Sequence, residues 1–226
     1  MPLTTNEYSI KTTTDFAVCL EDRKLEDDVI LVSYDVSSLF TEVPLDETFD
    51  YIIEEIYVNN KLPALGTKLL SKRLLCYVTK NTVFSFNDRL CRQTDGCGMG
   101  NSLSPVLANI FMTKLEADVV RPINPPFYDR YVEDVFSKRK QDEPNRLSEQ
   151  LNSYHPDIQF TVEENPDHFL DTAFSYDNIE FKRHVCRKPR KYLTHWSSQV
   201  PKTWKRNAIT GGLNRAKRIS TNLTQI

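Results

Sequence analysis

The chain has 226 residues with 39% hydrophobic and 27% charged content and a formal net charge of −2, the profile of a soluble protein long enough to bury a core as one large or two small domains. No stretch approaches the ~18–20 unbroken apolar residues of a membrane span, and Met1-Pro2-Leu3-Thr4-Thr5 lacks the basic and apolar runs of a secretory signal. The expectation is a nuclear or cytoplasmic protein that is not secreted and has no membrane partner. Cys19, Cys76, Cys91, Cys97 and Cys186 form no CxxC pair, and His155, His168, His184 and His195 are scattered, which argues for reduced thiols and against a zinc site.

Residues 29–36, Val-Ile-Leu-Val-Ser-Tyr-Asp-Val, read as a buried strand that carries Asp35 near its end. After Pro44, Leu45, Phe49, Ile52, Ile53 and Ile56 recur at helical spacing, with Asp46, Glu47, Asp50, Glu54 and Glu55 assigned to the opposite face. A second helix is expected over 62–78. Val83 to Phe86, Asn87-Asp88, and Arg89 to Gln93 form a hairpin pattern. Three of the six glycines, Gly96, Gly98 and Gly100, then fall within five residues. Ser104 and Pro105 follow as a candidate N-cap and first helical residue, and Leu107, Ile110, Phe111 and Leu115 form a helical stripe. Two short strands around 127–138 are expected to bend at Glu133-Asp134. A helix at 143–154 and strands near 158–163, 169–174 and 179–186 complete the body. Antiparallel pairs among packed helices make this an α+β pattern.

The net charge conceals a partition. Residues 181–226 hold 12 Lys/Arg and no Asp/Glu, leaving 17 basic against 31 acidic residues in 1–180. A basic block on an acidic body suits a polyanion partner for the block and metal-binding or solvated carboxylates on the body. Two units are expected: 1–180, and a basic segment 181–226 in which Lys202 to Ile219 reads as helical, with Gly211-Gly212 as the candidate break of a helix–turn–helix-like piece.

Asp35 at a strand end and the adjacent Glu133 and Asp134 carry the chemistry. Neighbouring carboxylates repel, and two hard divalent cations neutralise such a group and serve phosphoryl transfer. From these residues alone the alternative stays open: Asp35 caps a turn, and Glu133-Asp134 is a solvated hairpin tip. The glycine cluster is spaced GxGxG with no Gly-Lys-Ser/Thr after it, which excludes a dinucleotide or P-loop fingerprint.

Three segments together resemble reverse transcriptases, closest to the Penelope-like retroelement group. Ser33-Tyr34-Asp35-Val36-Ser37-Ser38-Leu39-Phe40 is similar to motif A, Gln93-Thr94-Asp95-Gly96 through Gly100-Asn101-Ser102-Leu103-Ser104-Pro105 to motif B, and Arg130-Tyr131-Val132-Glu133-Asp134 to motif C. The resemblance covers roughly residues 3–220. It implies a right-hand polymerase palm with an antiparallel sheet packed on helices, partial fingers, and a basic, mostly helical segment leading to the thumb. The implied function is RNA-directed DNA polymerisation by two-metal nucleotidyl transfer, with two Mg²⁺ ions (or Mn²⁺), dNTPs, and an RNA template with a DNA primer. Asp35, Glu133 and Asp134 would be the catalytic metal ligands, joined by the Val36 carbonyl. Phe40 would be the steric gate against a 2′-hydroxyl, with Gln93 and the loop ending at Gly100 against the incoming nucleotide. Arg187, Lys188, Arg190, Lys191, Lys202, Lys205 and Arg206 would hold nucleic-acid phosphates, and His195, Trp196 and Trp204 would stack or pack. Nothing in the sequence specifies the oligomeric state.

The chain departs from the family in three places. Glu133 stands where the family has aspartate, moving a carboxylate by about 1 Å, a displacement that costs on the order of 10²-fold in rate. Asn101-Ser102 replaces the usual Ser-Pro. The chain starts just before motif A, so the expectation includes a missing upstream fingers segment and endonuclease domain, as in a truncated retroelement copy. A non-enzymatic nucleic-acid-binding remnant of such a polymerase is the alternative function.

Overall fold

A computed structural model describes residues 3–21, 23, 28–64, 66–176, 181–186 and 195–221. Its first helix, α1 (Thr13–Glu21), was not anticipated: three buried residues, Phe16, Ala17 and Leu20, anchor a short threonine-led segment. The expected strand is β1 (Val29–Val36). A single turn, α2 (Leu39–Glu42), leads into α3 (Leu45–Tyr57). The apolar stripe of α3 is as expected, except that Glu55 lies on it. Glu55 is buried, accepts from the Asn59 side chain at 2.7 Å and pairs with Lys61. The next helix, α4 (Lys68–Thr79), begins six residues later than expected, because Pro63 and the left-handed Gly66 precede Thr67, whose side chain caps Leu70.

The hairpin β2 (Val83–Phe86) and β3 (Arg89–Arg92) turns at Asn87 and Asp88, both with positive φ, the type I′ geometry that suits a right-twisted two-strand ribbon. Helix α5 (Ser104–Leu115) carries Pro105 in its first turn, but Leu103 occupies the cap position. Ser104 instead donates its hydroxyl to the Gly98 carbonyl at 2.7 Å. The helix continues through a π-helical turn, Glu116–Val120, and the short α6 (Arg121–Ile123). Strands β4 (Tyr128–Tyr131) and β5 (Asp134–Lys140) follow. The two-residue turn is Val132-Glu133 rather than Glu133-Asp134, since Tyr131 pairs with Asp134. Next come α7 (Arg146–Tyr154), capped by Asn145, β6 (Phe160–Glu164), β7 (His168–Phe169), β8 (Thr172–Tyr176), β9 (Phe181–Val185) and α8 (Lys202–Ile219).

Strands β4-β5-β1-β6 form a four-stranded antiparallel sheet with β1 inside it. The two faces of β1 enter different cores, as alternation requires. Ile30, Val32, Tyr34 and Val36 join the main core with Phe49, Leu107, Phe111, Met112, Leu115 and Leu151. Leu31 and, from β5, Phe136 join a second, aromatic cluster with Phe16, Phe169, Phe174 and Phe181. That cluster seats α1 against the small sheet β7-β8-β9. The charge boundary at residue 181 therefore falls inside a sheet, since β9 pairs with β8 along its length. Helix α8 runs unbroken through Gly211-Gly212, despite the ~1 kcal/mol that each glycine costs relative to alanine. Its buried Lys205, Ala216 and Ile219 hold it from both ends, and Arg215 pairs with Asp171.

Candidate functional site

Asp35 and Asp134 are direct partners across β1 and β5, so their side chains leave the same face of the sheet from Cα atoms about 4.5–5.5 Å apart. Extending the register gives a row across four strands: Tyr131, Asp134, Asp35 and Thr161. Further along β1 the same face is closed over Leu31 and Phe136, whereas at this end Asp35 is exposed. The sheet thus opens where its two carboxylates meet. Asp35 is exposed as a residue, yet partial desolvation of its carboxyl by the surrounding protein raises its pKa above the ordinary aspartate value, as desolvation of an anion does. Val36 points to the other face and is buried, which leaves only its backbone carbonyl for a ligand role.

Glu133 sits in the turn beyond this row and is half-buried. Val132, just before it, has φ 56° while Glu133 has no positive φ. That is the type II′ pattern, whose first central position ordinarily takes glycine; a left-handed β-branched residue costs roughly 1–2 kcal/mol. The turn is held from behind by Arg130. This guanidinium donates to the Val132 carbonyl at 3.1 Å, to Asn109 of α5 at 2.9 Å and to Glu116 at 3.1 Å. Arg130 and Glu116 have side-chain exposures of 1% and 0%. Sequence reasoning gave this pair no role. The signal was there: Glu116 follows Leu107, Ala108, Phe111, Met112 and Leu115 on one apolar stripe, where a carboxylate needs a buried partner.

The carboxylates suit a hard divalent cation in kind, being oxygen donors. The arrangement supplies two of them side by side. Among the described residues no group of three or more His, Cys, Asp or Glu is close enough to hold a metal ion, so Glu133 is not gathered with the aspartates in this conformation.

The glycine loop is placed differently from expectation. A Cβ on Gly96 would lie 2.1 Å from the Thr41 carbonyl oxygen, and one on Gly98 would lie 2.6 Å from the Thr82 side chain. These two glycines therefore serve packing within the protein. Cys97 donates its N–H to the Phe40 carbonyl at 2.6 Å, joining the loop to α2. Only Gly100 faces open space, with φ 96°. Phe40 is half-buried against the main core. The Gln93 side chain donates to the Asp95 carbonyl at 2.8 Å. Asn101 donates to the Val78 carbonyl at 2.9 Å and accepts from Leu103 N–H at 3.0 Å, so this departure from the family pattern ties the loop to α4. A cleft of about 340 Å³ between α2, the glycine loop and His155 is lined by Glu42, Asp46, Asp95 and Asp157, but not by Asp35 or Asp134.

In the basic segment, Lys202 and Arg206 are exposed on the first turns of α8. Lys205 departs from the role expected of it: it is buried and donates to the carbonyls of Trp196 and Ser198, so its charge is used internally. Trp196 and Trp204 are 56% and 70% exposed. Arg187, Lys188, Arg190 and Lys191 lie outside the described residues.

No family model and no curated protein matches the sequence. Solved structures do. Telomerase from Candida albicans, in complex with a TWJ fragment of telomeric RNA, superimposes with a TM-score of 0.58 at 12% identity, over 81% of this chain and 36% of that one. Apo telomerase from Candida tropicalis gives 0.57 at 11% identity, over 95% and 42%. The chain is similar in fold to these telomerases. The chain spans less than half the length of these neighbours, and at such identity the likeness concerns the palm-type α+β architecture alone. No helix among the described residues is long and apolar enough to cross a membrane.

Proposed function

We propose that this protein is the palm of an RNA-directed DNA polymerase of the Penelope-like retroelement kind, acting on an RNA template with a DNA primer and dNTPs. The observation that carries the reading is the direct cross-strand pairing of Asp35 with Asp134 at the open end of the sheet, in a fold shared with telomerase. Asp35, Asp134 and Glu133, with the Val36 carbonyl, would hold two Mg²⁺ ions, and Glu133 would have to turn towards the aspartates to join them. Metal ions bound there supply activation of the primer 3′-hydroxyl and stabilisation of the departing pyrophosphate. Phe40 limits the sugar that fits beside Asp35, Gln93 and the open backbone at Gly100 lie along the nucleotide, and Lys202 and Arg206 hold phosphates with the exposed Trp204 beside them.

The test is extension of a DNA primer on an RNA template with dNTPs and Mg²⁺. Extension is expected to vanish in Asp35→Asn and to rise by about 10²-fold in Glu133→Asp, which restores carboxylate reach. Absence of extension in both the parent and Glu133→Asp removes the polymerase reading. The second reading, a nucleic-acid-binding remnant, draws on the ungathered carboxylates and the basic segment. It is distinguished by template–primer binding that weakens steeply with salt and survives Asp35→Ala.

A further inference from the structure

We propose that the buried Arg130–Glu116 ion pair is a positioning device: it holds the Val132-Glu133 turn in its left-handed conformation and thereby sets Asp134 against Asp35. The chemistry of the pair argues against a purely stabilising role. Two charges taken fully out of water cost as much as their attraction returns, and apolar residues of similar volume commonly serve stability as well or better. What an apolar pair does not supply is direction. The guanidinium fork of Arg130 has its donors at fixed angles, and it spends them on three elements. One goes to the Val132 carbonyl inside the turn, one to Asn109 on α5, and two reach Glu116 on the π-helical turn. The backbone of Arg130 is also clamped, accepting from Ile10 N–H at 2.9 Å and donating to the Tyr8 carbonyl at 2.8 Å. Asn6 of the same N-terminal segment donates to Glu116 at 2.7 Å.

The site of these bonds is a strained one, as is Leu170 in the β7–β8 turn. Val132 has glycine's conformation without being glycine, and such a residue keeps that conformation only where its surroundings over-determine it. A π-helical turn is itself an unfavourable insertion within a helix, often found beside functional sites. Here it begins at Glu116, which lies on the buried face beneath Arg130. Neither Arg130 nor Glu116 belongs to the carboxylate row on the opposite face of the sheet, so both act through the turn.

The experiment compares the parent with Arg130→Met/Glu116→Leu, which replaces the pair by apolar volume, and with Arg130→Lys, which keeps the charge and loses the fork. Three quantities are read: thermal unfolding, amide exchange over residues 128–137, and Mn²⁺ affinity by titration. The double variant is expected to unfold at or above the parental temperature, yet to exchange the turn amides about tenfold faster or more, the scale of losing a charge-assisted hydrogen bond. Mn²⁺ affinity is expected to fall by a similar factor. Lysine is expected to show the same exchange defect in a folded protein, which keeps the test decisive if the double variant does not fold. Parental exchange and parental Mn²⁺ affinity in a folded variant overturn the proposal. The metal arm alone rests on the polymerase reading: if the parent binds no Mn²⁺, that reading suffers while the exchange arm still decides the role of the pair.

Discussion

Among the described residues three hairpins close through two-residue turns, and two of them sit under opposite regimes. The β2–β3 hairpin has exposed strands, with Phe86 and Leu90 at 65% and 83% exposure, and closes through Asn87-Asp88. Both turn residues tolerate the left-handed region, because their short polar side chains bond locally. Its geometry is therefore encoded by the turn itself. The β4–β5 hairpin has buried strands and closes through Val132-Glu133, a pair that local chemistry does not favour. Its geometry is imposed by Arg130, Glu116 and Asn109. Of these two, the hairpin that carries candidate catalytic groups is the one whose shape is dictated from a distance, the pattern expected where strain and function coincide.

Three measurements would break or sharpen this contrast. The largest effect is expected from Arg130→Ala, which strands the buried Glu116 carboxylate and should cost about 3–5 kcal/mol in urea unfolding; Phe86→Ser in the exposed hairpin should stay within about 0.5 kcal/mol. Equal effects in the two hairpins would erase the distinction. A gain is expected from Val132→Gly, roughly 0.5–1 kcal/mol, because glycine relieves the left-handed strain. The smallest effect is electrostatic and concerns Asp35. Its folded-state pKa is raised by desolvation, so its contribution to stability is fully present below the ordinary value of 3.8 and is lost as pH rises through the raised one. Asp35→Asn should accordingly unfold about 1–3 °C higher than the parent at pH 7 without divalent ions, equivalent to less than about 1 kcal/mol for this partly exposed group. The difference should disappear below pH 3.8. A parent that is the more stable of the two at pH 7 would contradict the desolvation of Asp35.

The same contrast explains what could be read from the amino-acid order. Strand β1 is legible to the residue because a run of β-branched and aromatic side chains buried on both faces has few alternatives. Helix α3 and the β2–β3 hairpin follow from periodicity and turn chemistry acting over a few positions. Where distant partners decide, local signals mislead. Ser104 looks like a cap and instead bonds Gly98; Gly211-Gly212 looks like a break, yet packing carries α8 across it; Lys205 looks like a phosphate ligand and is buried. The motif spacing brought Asp35 and Asp134 to attention, but their face-to-face pairing depends on strand order, with β5 lying beside β1. That order is a property of the whole sheet and of no segment within it.

The contact at Gly96 has a kinematic consequence. With no room for even a methyl group between Gly96 and Thr41, and with Cys97 bonded to the Phe40 carbonyl, the glycine loop and α2 have no freedom to slide past one another. They move as one link. A load applied at the open Gly100 end meets Phe40, five residues along the chain from Asp35, through Cys97, which belongs to the main core.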